Sequence, residues 1–441
     1  MNINWILFLL LGLTFTSAQE NGEIFAVLAA GSTGWNNYRH QADVCHAYHV
    51  LINHGVKPEN VILMSYDDVA QDESNPLRGK LFNNPTGHDV YEGCKIDYRG
   101  EDVTAENFMT ILKGNSSAVN GGNGRVLQSG PNDRVFVYFA DHGDSGVINF
   151  PNNDLTAHDL NQTIHEMNEK QKYGQLLLAI EACNSGSMFE NILPDNINVY
   201  ALTSANSDES SSGTYCFCEG VGDVCLGDEF SVNWMEDSDK EDLNNFTLNE
   251  QFELVKNKTA FSHVQRYGNI SIGLEFLSFF QGDIQTPAPV PGRNVCLSSA
   301  LESWPVAEVP VRMIESKLKK ETNSTRRFEL RKQLAEIRLK RSKFDDHTRR
   351  FVNRVLGEQH SRLVERVLDF EFHEPIGDLE CHDRAVKAYT RSCFSFSTNP
   401  YAMKVARVLT KLCNSPVTSE QIVKSIEEHC EKNNEQLDEI Q

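Results

Sequence analysis

From about residue 23 to residue 285 the chain alternates short apolar runs with amphipathic stretches, and this alternation restricts the fold more than any other feature. Strand-length runs occupy 23–30, 61–66, 134–140, 175–180 and 198–203. Helical patterns occupy 45–54 and 154–172 between them. Strands that alternate with helices predict an α/β fold with a mostly parallel sheet and helices on both faces. At 441 residues the chain exceeds what one core serves, since single cores stop growing near ~250–300 residues. A second folded unit is therefore expected.

Open parallel sheets bind ligands outside the carboxyl ends of their strands. Two strand ends carry reactive groups: the run 135–139 delivers His142, and the run 176–180 delivers Cys183. If these strands are neighbours, an imidazole and a thiol emerge at one sheet edge, which is what a nucleophile and its base require. Gly143 leaves its backbone N–H open to a substrate carbonyl and, with the N–H of Cys183, suits an oxyanion hole. A lone buried cysteine or loop histidine is usually structural. The pair, each at the end of an apolar strand with glycine nearby, reads as catalytic.

Residues 5–13 are apolar and are followed by Thr16-Ser17-Ala18, which predicts a signal segment over 1–18, too short to span a bilayer. No later stretch reads as a membrane span. The net charge of −21 argues against nucleic acid as a partner. Sequons at Asn115, Asn161, Asn245, Asn257, Asn269 and Asn323 and eleven cysteines fit a secretory, oxidising compartment. The odd count leaves at least one thiol unpaired within the chain.

The texture changes at Thr286-Pro287-Ala288-Pro289-Val290-Pro291, which reads as an extended linker. Long helical patterns follow. Between Lys317 and Arg366 there are sixteen Lys/Arg against seven Asp/Glu, so a basic helix beside an acidic domain suggests that the two dock. Cys381, Cys393, Cys413 and Cys430 read as two disulfides with three connectivities open. No metal or cofactor is implied.

The strings Gly31-Ser32-Thr33-Gly34-Trp35-Asn36-Asn37-Tyr38-Arg39-His40, Asp141-His142-Gly143, Glu181-Ala182-Cys183-Asn184-Ser185-Gly186-Ser187 and Ser231-Val232-Asn233-Trp234-Met235-Glu236-Asp237 resemble the legumain family of asparaginyl endopeptidases. The resemblance covers nearly the whole chain. It implies a caspase-like catalytic domain over 19–285, a linker or activation peptide over 286–323 and a helical inhibitory prodomain over 324–441. It also implies that Asn37 orients His142 and that Arg39, His40, Glu181, Ser211 and Asp228 line the S1 pocket.

An asparagine side chain offers one carbonyl acceptor and an NH2 donor, which such a pocket can match, whereas a charged aspartate would be repelled until acid pH neutralises it. The resemblance further implies a Cys183 thioester and activation at acid pH by cleavage at Asn323, where relatives are cut. Asp141 is a candidate for succinimide formation, although a carboxylate that tunes the site is the plainer reading. Peptide substrates, cystatin-type inhibitors and the chain's own prodomain are the implied partners, and a lysosome, vacuole or acidic lumen the implied destination. A peptide ligase using the same acyl-enzyme is the alternative activity. The implied disulfides are Cys381–Cys413, Cys393–Cys430 and Cys216–Cys225, which leave Cys94, Cys218 and Cys296 unassigned. Ser212 departs from the aromatic that relatives often carry there.

Overall fold

The computed structural model describes residues 22–285, 292, 294–296 and 302–432. The expected signal segment and the proline run 286–291 lie outside the described residues.

Six strands form the central sheet: β1 (Ile24–Ala30), β2 (Val61–Met64), β3 (Arg134–Ala140), β4 (Gln175–Glu181), β5 (Val199–Thr203) and β6 (Gln265–Gly268). Their order is β6-β5-β4-β3-β1-β2, all parallel except β6, which runs antiparallel to β5. The inner strands are apolar between their end residues, such as Arg134, Gln175 and Glu181, because both faces are covered. Val135, Val137, Phe139, Leu176, Leu178 and Ile180 point to one face, against Phe108 of helix α2 (Ala105–Leu112) and Leu160 and Ile164 of α3 (Ala157–Glu169). Phe136, Tyr138, Leu177 and Ala179 point to the other. There they meet α1 (Tyr38–Asn53), α4 (Glu229–Ser238) and α5 (Leu248–Lys258).

Helix α1 begins seven residues before the 45–54 pattern. Its first two turns bury Arg39, His40, Gln41 and Asp43, so the apolar periodicity fails where the helix lines a polar site. Helix α3 is shorter than 154–172. Residues Asp154–Thr156 join a small antiparallel sheet with Gly143–Asp144 and Val147–Asn149, and the Thr156 side chain caps the helix by accepting from the Asp159 N–H.

The segment expected as linker is partly folded onto the catalytic domain. Glu302–Pro305 pairs antiparallel with Ser212–Cys216, and α6 (Val309–Lys320) packs Val309 and Met313 into a cluster with Cys216, Cys218, Cys225 and Cys296. The carboxy-terminal unit consists of α7 (Ser324–Leu356), α8 (Ser361–Leu368), α9 (Leu379–Ser392), α10 (Val405–Cys413) and α11 (Ser419–Lys432) around its own core. Among the described residues no helix is long and apolar enough to cross a membrane.

The two units dock. Of the basic stretch 317–366, Lys320 at the end of α6 pairs with Asp223 of the sheet domain. Ion pairs of α7 join Arg338 to Glu315, Arg341 to Glu308, Arg349 to Glu365 and Arg354 to Glu428, all outside the sheet domain. Other pairs that reach the sheet domain include Arg407–Asp144, Lys387–Asp159 and His373–Glu190.

Candidate active site

Strands β3 and β4 are neighbours in register, with Ala140 opposite Glu181, and the Asp141 N–H donates to the Glu181 carbonyl at 3.0 Å. His142 and Cys183 follow at the same sheet edge and line one cleft of about 880 Å³. The His142 Nε2 lies 2.9 Å from Asn37 Oδ1, while Asn37 Nδ2 donates to the Thr33 carbonyl at 2.9 Å. That second bond fixes which way the amide points, so Nε2 carries the proton and Nδ1 is the basic nitrogen.

Cys183 is 7% exposed, and its Sγ lies 3.1 Å from Ser210 Oγ and 3.9 Å from Ser211 Oγ. Burial pushes the thiol above its usual range. Burial, with the nearby Arg39 charge, lowers His142 to about 3. In the covered state both groups are neutral. A Cβ on Gly143 would sit 2.7 Å from the Cys183 carbonyl and 2.9 Å from Ala182 Cβ, so only glycine fits between the histidine and the cysteine turn. Asn184 adopts left-handed geometry (φ 54°), which turns the chain sharply after Cys183.

Arg39, His40, Glu181, Ser211 and Asp228 are all buried and converge beside this cleft. Arg39 Nε donates to Asp228 Oδ1 at 2.8 Å. Glu181 Oε2 accepts from the Ser231 hydroxyl at 2.9 Å. His40 Nδ1 lies 2.6 Å from Ser32 Oγ and 3.2 Å from Asp141 Oδ1, and its Nε2 lies 3.4 Å from Asp228 Oδ2. Four polar atoms of these residues keep no hydrogen-bond partner: Arg39 Nη2, His40 Nε2, Glu181 Oε1 and Asp228 Oδ2, the His40 and Asp228 atoms facing each other at 3.4 Å. Polar atoms left open in a buried site are costly unless a ligand completes them. Burial, and then the Asp228 charge, raise Glu181 to about 8. Burial likewise raises Asp228, against the opposing pull of Arg39, and lifts Asp141 well above the carboxylate range.

The carboxy-terminal unit forms the opposite wall with Phe370, Ser397, Pro400, Tyr401 and Arg407. Arg407 donates to both Asp144 oxygens at 2.8 and 3.1 Å and to Asn184 Oδ1 at 3.2 Å, bridging residues on either side of Cys183. Sequence reasoning missed Asp144, Asn184, Ser210 and Arg407. Asp144 and Asn184 adjoin the motifs and were within reach. Arg407 lies far along the chain in an ordinary amphipathic helix and gives no local signal.

The structure joins Cys216 to Cys225, Cys381 to Cys413 and Cys393 to Cys430. It also joins Cys218 to Cys296 and Cys94 to Cys45, a cysteine the sequence reading passed over, and leaves Cys183 as the free thiol. Asn323 is exposed between α6 and α7, and its side chain caps α7 by accepting from the Thr325 and Arg326 N–H groups. Of the other sequons, Asn115, Asn245 and Asn257 are exposed, whereas Asn161 and Asn269 are half-buried.

A parallel sheet that presents a thiol and an imidazole in one cleft, roofed by a second unit of the same chain, defines a cysteine endopeptidase held with its inhibitory domain attached. The comparisons specify which. The Peptidase C13 family model matches residues 24–283, and the model described as legumain, prodomain, matches residues 332–430. The chain is 42% identical to Bos taurus legumain over 416 residues, covering 93% of this chain and 94% of that protein. It is 40% identical to Homo sapiens legumain, covering 93% and 94%. It is 37% identical to the vacuolar-processing enzyme delta-isozyme of Arabidopsis thaliana, covering 93% and 90%. A solved caspase-1 from Spodoptera frugiperda aligns over 60% of this chain and 93% of that one, with a TM-score of 0.36 and 10% identity. The chain belongs to the Peptidase C13 family, in its legumain branch with the legumain prodomain.

Proposed function

We propose that this zymogen hydrolyses peptide bonds after asparagine through a Cys183 thioester. The observation that carries the reading is a buried cluster in which Arg39 Nη2, Glu181 Oε1 and Asp228 Oδ2 are unpartnered beside His40 Nε2. A carboxamide matches it: its carbonyl accepts from Arg39, and its NH2 donates to the two carboxyls. A P1 aspartate fits only when neutralised at acid pH.

His142 Nδ1 takes the Cys183 proton, and the thiolate attacks the carbonyl carbon of the P1 residue. The N–H groups of Gly143 and Cys183 receive the oxyanion. The C–N bond breaks as His142 returns the proton to the leaving amine. Water activated by His142 then cleaves the thioester. Asn37 holds the imidazole tautomer throughout. Asp141, buried against His40, tunes the site and is the position for a succinimide if ligation occurs. An amine in place of water at the last step would make the same acyl-enzyme a ligase.

Activation follows from release of the roof at acid pH. His382 of α9 is buried against the backbone of Gly146, and burial lowers it to about 4. Its folded-state value lies below the unfolded one, near ~6.5. Neutral His382 therefore supports docking above that value, and the support is lost as pH falls toward about 4. Cleavage at the exposed Asn323 would make release permanent. The vacuolar-processing enzymes among the relatives, the five disulfides and the sequons support a destination in an acidic secretory compartment. Acid incubation of the purified precursor, followed by fragment masses and an Asn-containing reporter, tests the reading. Loss of the roof and gain of Asn cleavage should coincide; acid-treated protein that stays inactive on the reporter would refute it. Adding an amine nucleophile to the same incubation separates hydrolase from ligase by product mass.

A further inference from the structure

Behind the S1 residues lies a fourth buried group that the mechanism above does not use. Asp43 is fully buried on α1, one turn after Arg39, and sits behind Asp228. Its two oxygens face the Asp228 N–H at 3.4 and 3.3 Å, and Oδ1 accepts from Asn83 Nδ2 at 2.6 Å. The contact is tight. A Cβ on Gly227 would lie 2.7 Å from Asn83 Nδ2 and 3.0 Å from Asp43 Oδ1. The groups that act on this carboxyl are Asn83, Tyr138 from β3, Glu181 from β4, and Asp228. Arg39, one turn earlier on α1, is already paired with Asp228.

The pocket therefore holds Asp43, Asp228 and Glu181 around one guanidinium, all out of water. Buried like charges this close do not all ionise together, so at least one proton is retained in the group. Neither Asp43 nor Glu181 has a cation of its own among the described ion pairs, and Asp43 is the one set directly against the Asp228 backbone. Burial and the Asp228 charge both push it well above the usual carboxylate range.

Asp43 is also wired to the surface. Asn83 Nδ2 also donates to the Leu226 carbonyl at 3.0 Å, so its Oδ1 faces His46 Nδ1 at 2.7 Å. His46 Nε2 reaches Asp239 Oδ2 at 2.9 Å, and both residues line a separate cavity of about 510 Å³ with His49 and Lys240. Both partners of His46 are acceptors, which favours its imidazolium form.

We propose that Asp43 is a positioning residue that sets P1 specificity through Asp228: its proton fixes the net charge of the S1 pocket and hence the pH up to which aspartate is admitted beside asparagine. The proposal rests on the S1 reading given above. When Asp43 loses its proton, negative charge appears directly behind Asp228. A P1 carboxylate is repelled by it and a neutral carboxamide is not. His46, protonated in an acidic lumen, tunes the same equilibrium from the other side.

The test compares two peptides that differ only in Asn or Asp at P1, cleaved by the acid-activated enzyme and by Asp43→Asn across pH 4–7. A like charge within ~4–6 Å shifts a carboxyl by about 1–3 pKa units. Removing it should move the upper limb of the Asp-peptide profile about one pH unit higher and raise the Asp-to-Asn kcat/KM ratio near pH 6 about tenfold. Asp43→Ser, which keeps an oxygen for the Asp228 N–H, replaces the first variant if that one fails to fold. An unchanged ratio and limb would overturn the proposal, and so would an equal loss on both peptides, which marks a merely structural residue. Failure of the unaltered enzyme to cut the Asn peptide would instead refute the S1 reading itself.

Discussion

Replacing Arg407 with alanine should weaken the roof without touching the residues that the sheet domain brings to the cleft. The guanidinium makes two bonds to Asp144, whose side chain is only 6% exposed, and a third to Asn184. Breaking a buried ion pair from one side costs about 3–5 kcal/mol, because the partner is left desolvated. Arg407 itself is 26% exposed, and Asp144 regains water once the roof lifts, so about 2–3 kcal/mol is the better figure here. At 1.4 kcal/mol per tenfold, the docking equilibrium should weaken by about 30- to 150-fold. Because the remaining contacts, such as Thr156–Asp383 and Lys387–Asp159, still hold, the domains should stay associated at neutral pH but separate earlier on acidification. The assay is a pH titration of the intact chain, reading Asn-reporter cleavage and size-resolved fragments together. The activation midpoint should move to higher pH than in the unaltered chain. A variant that folds, retains its other interface and activates at the unaltered midpoint would refute the claim that this bridge holds the roof.

Three further outcomes are expected. His382→Gln removes a group that must be neutral to stay buried, so the acid-activation midpoint should move to lower pH, measured in the same titration. Asn37→Ala removes the partner of His142 Nε2 and should lower kcat about ten- to a hundredfold with KM little changed, read by steady-state kinetics. Loss of the Cys45–Cys94 bridge, which spans 49 residues, should lower stability by about 4 kcal/mol in denaturant unfolding of the intact chain.

Much of the sheet was legible because both its faces are buried. Runs such as 134–140 and 175–180 carry no polar interruption and ended where the pattern stopped. Their chemistry followed from topology, since His142 and Cys183 are the residues just past the ends of adjacent parallel strands. What periodicity could not see was polar burial. Helix α1 looked short because Arg39, His40 and Asp43 occupy core positions for the site's sake. The roof was harder still: within the strongest charge signal, over 317–366, Lys320 reaches Asp223 of the sheet domain, while pairs such as Arg338–Glu315 and Arg354–Glu428 stay outside it. The decisive cation, Arg407, lies on a helix with no unusual charge density. Pairings such as Cys218–Cys296 depend on where 294–296 lies against the sheet domain, which spacing does not encode. The S1 residues were reached through resemblance, since Glu181 and Asp228 alone read as loop carboxylates.

The most direct test of the account is peptide mapping by mass spectrometry with the acid-activated enzyme. The substrate carries one Asn, one Asp and one Gln in otherwise matched settings. At pH 6 cleavage should fall after Asn, with the Asp site appearing as the pH is lowered and the Gln site untouched, and Cys183→Ala should release no fragment. Cleavage by the Cys183→Ala protein, or equal cleavage after Gln, would contradict a thioester mechanism read through an asparagine-shaped pocket.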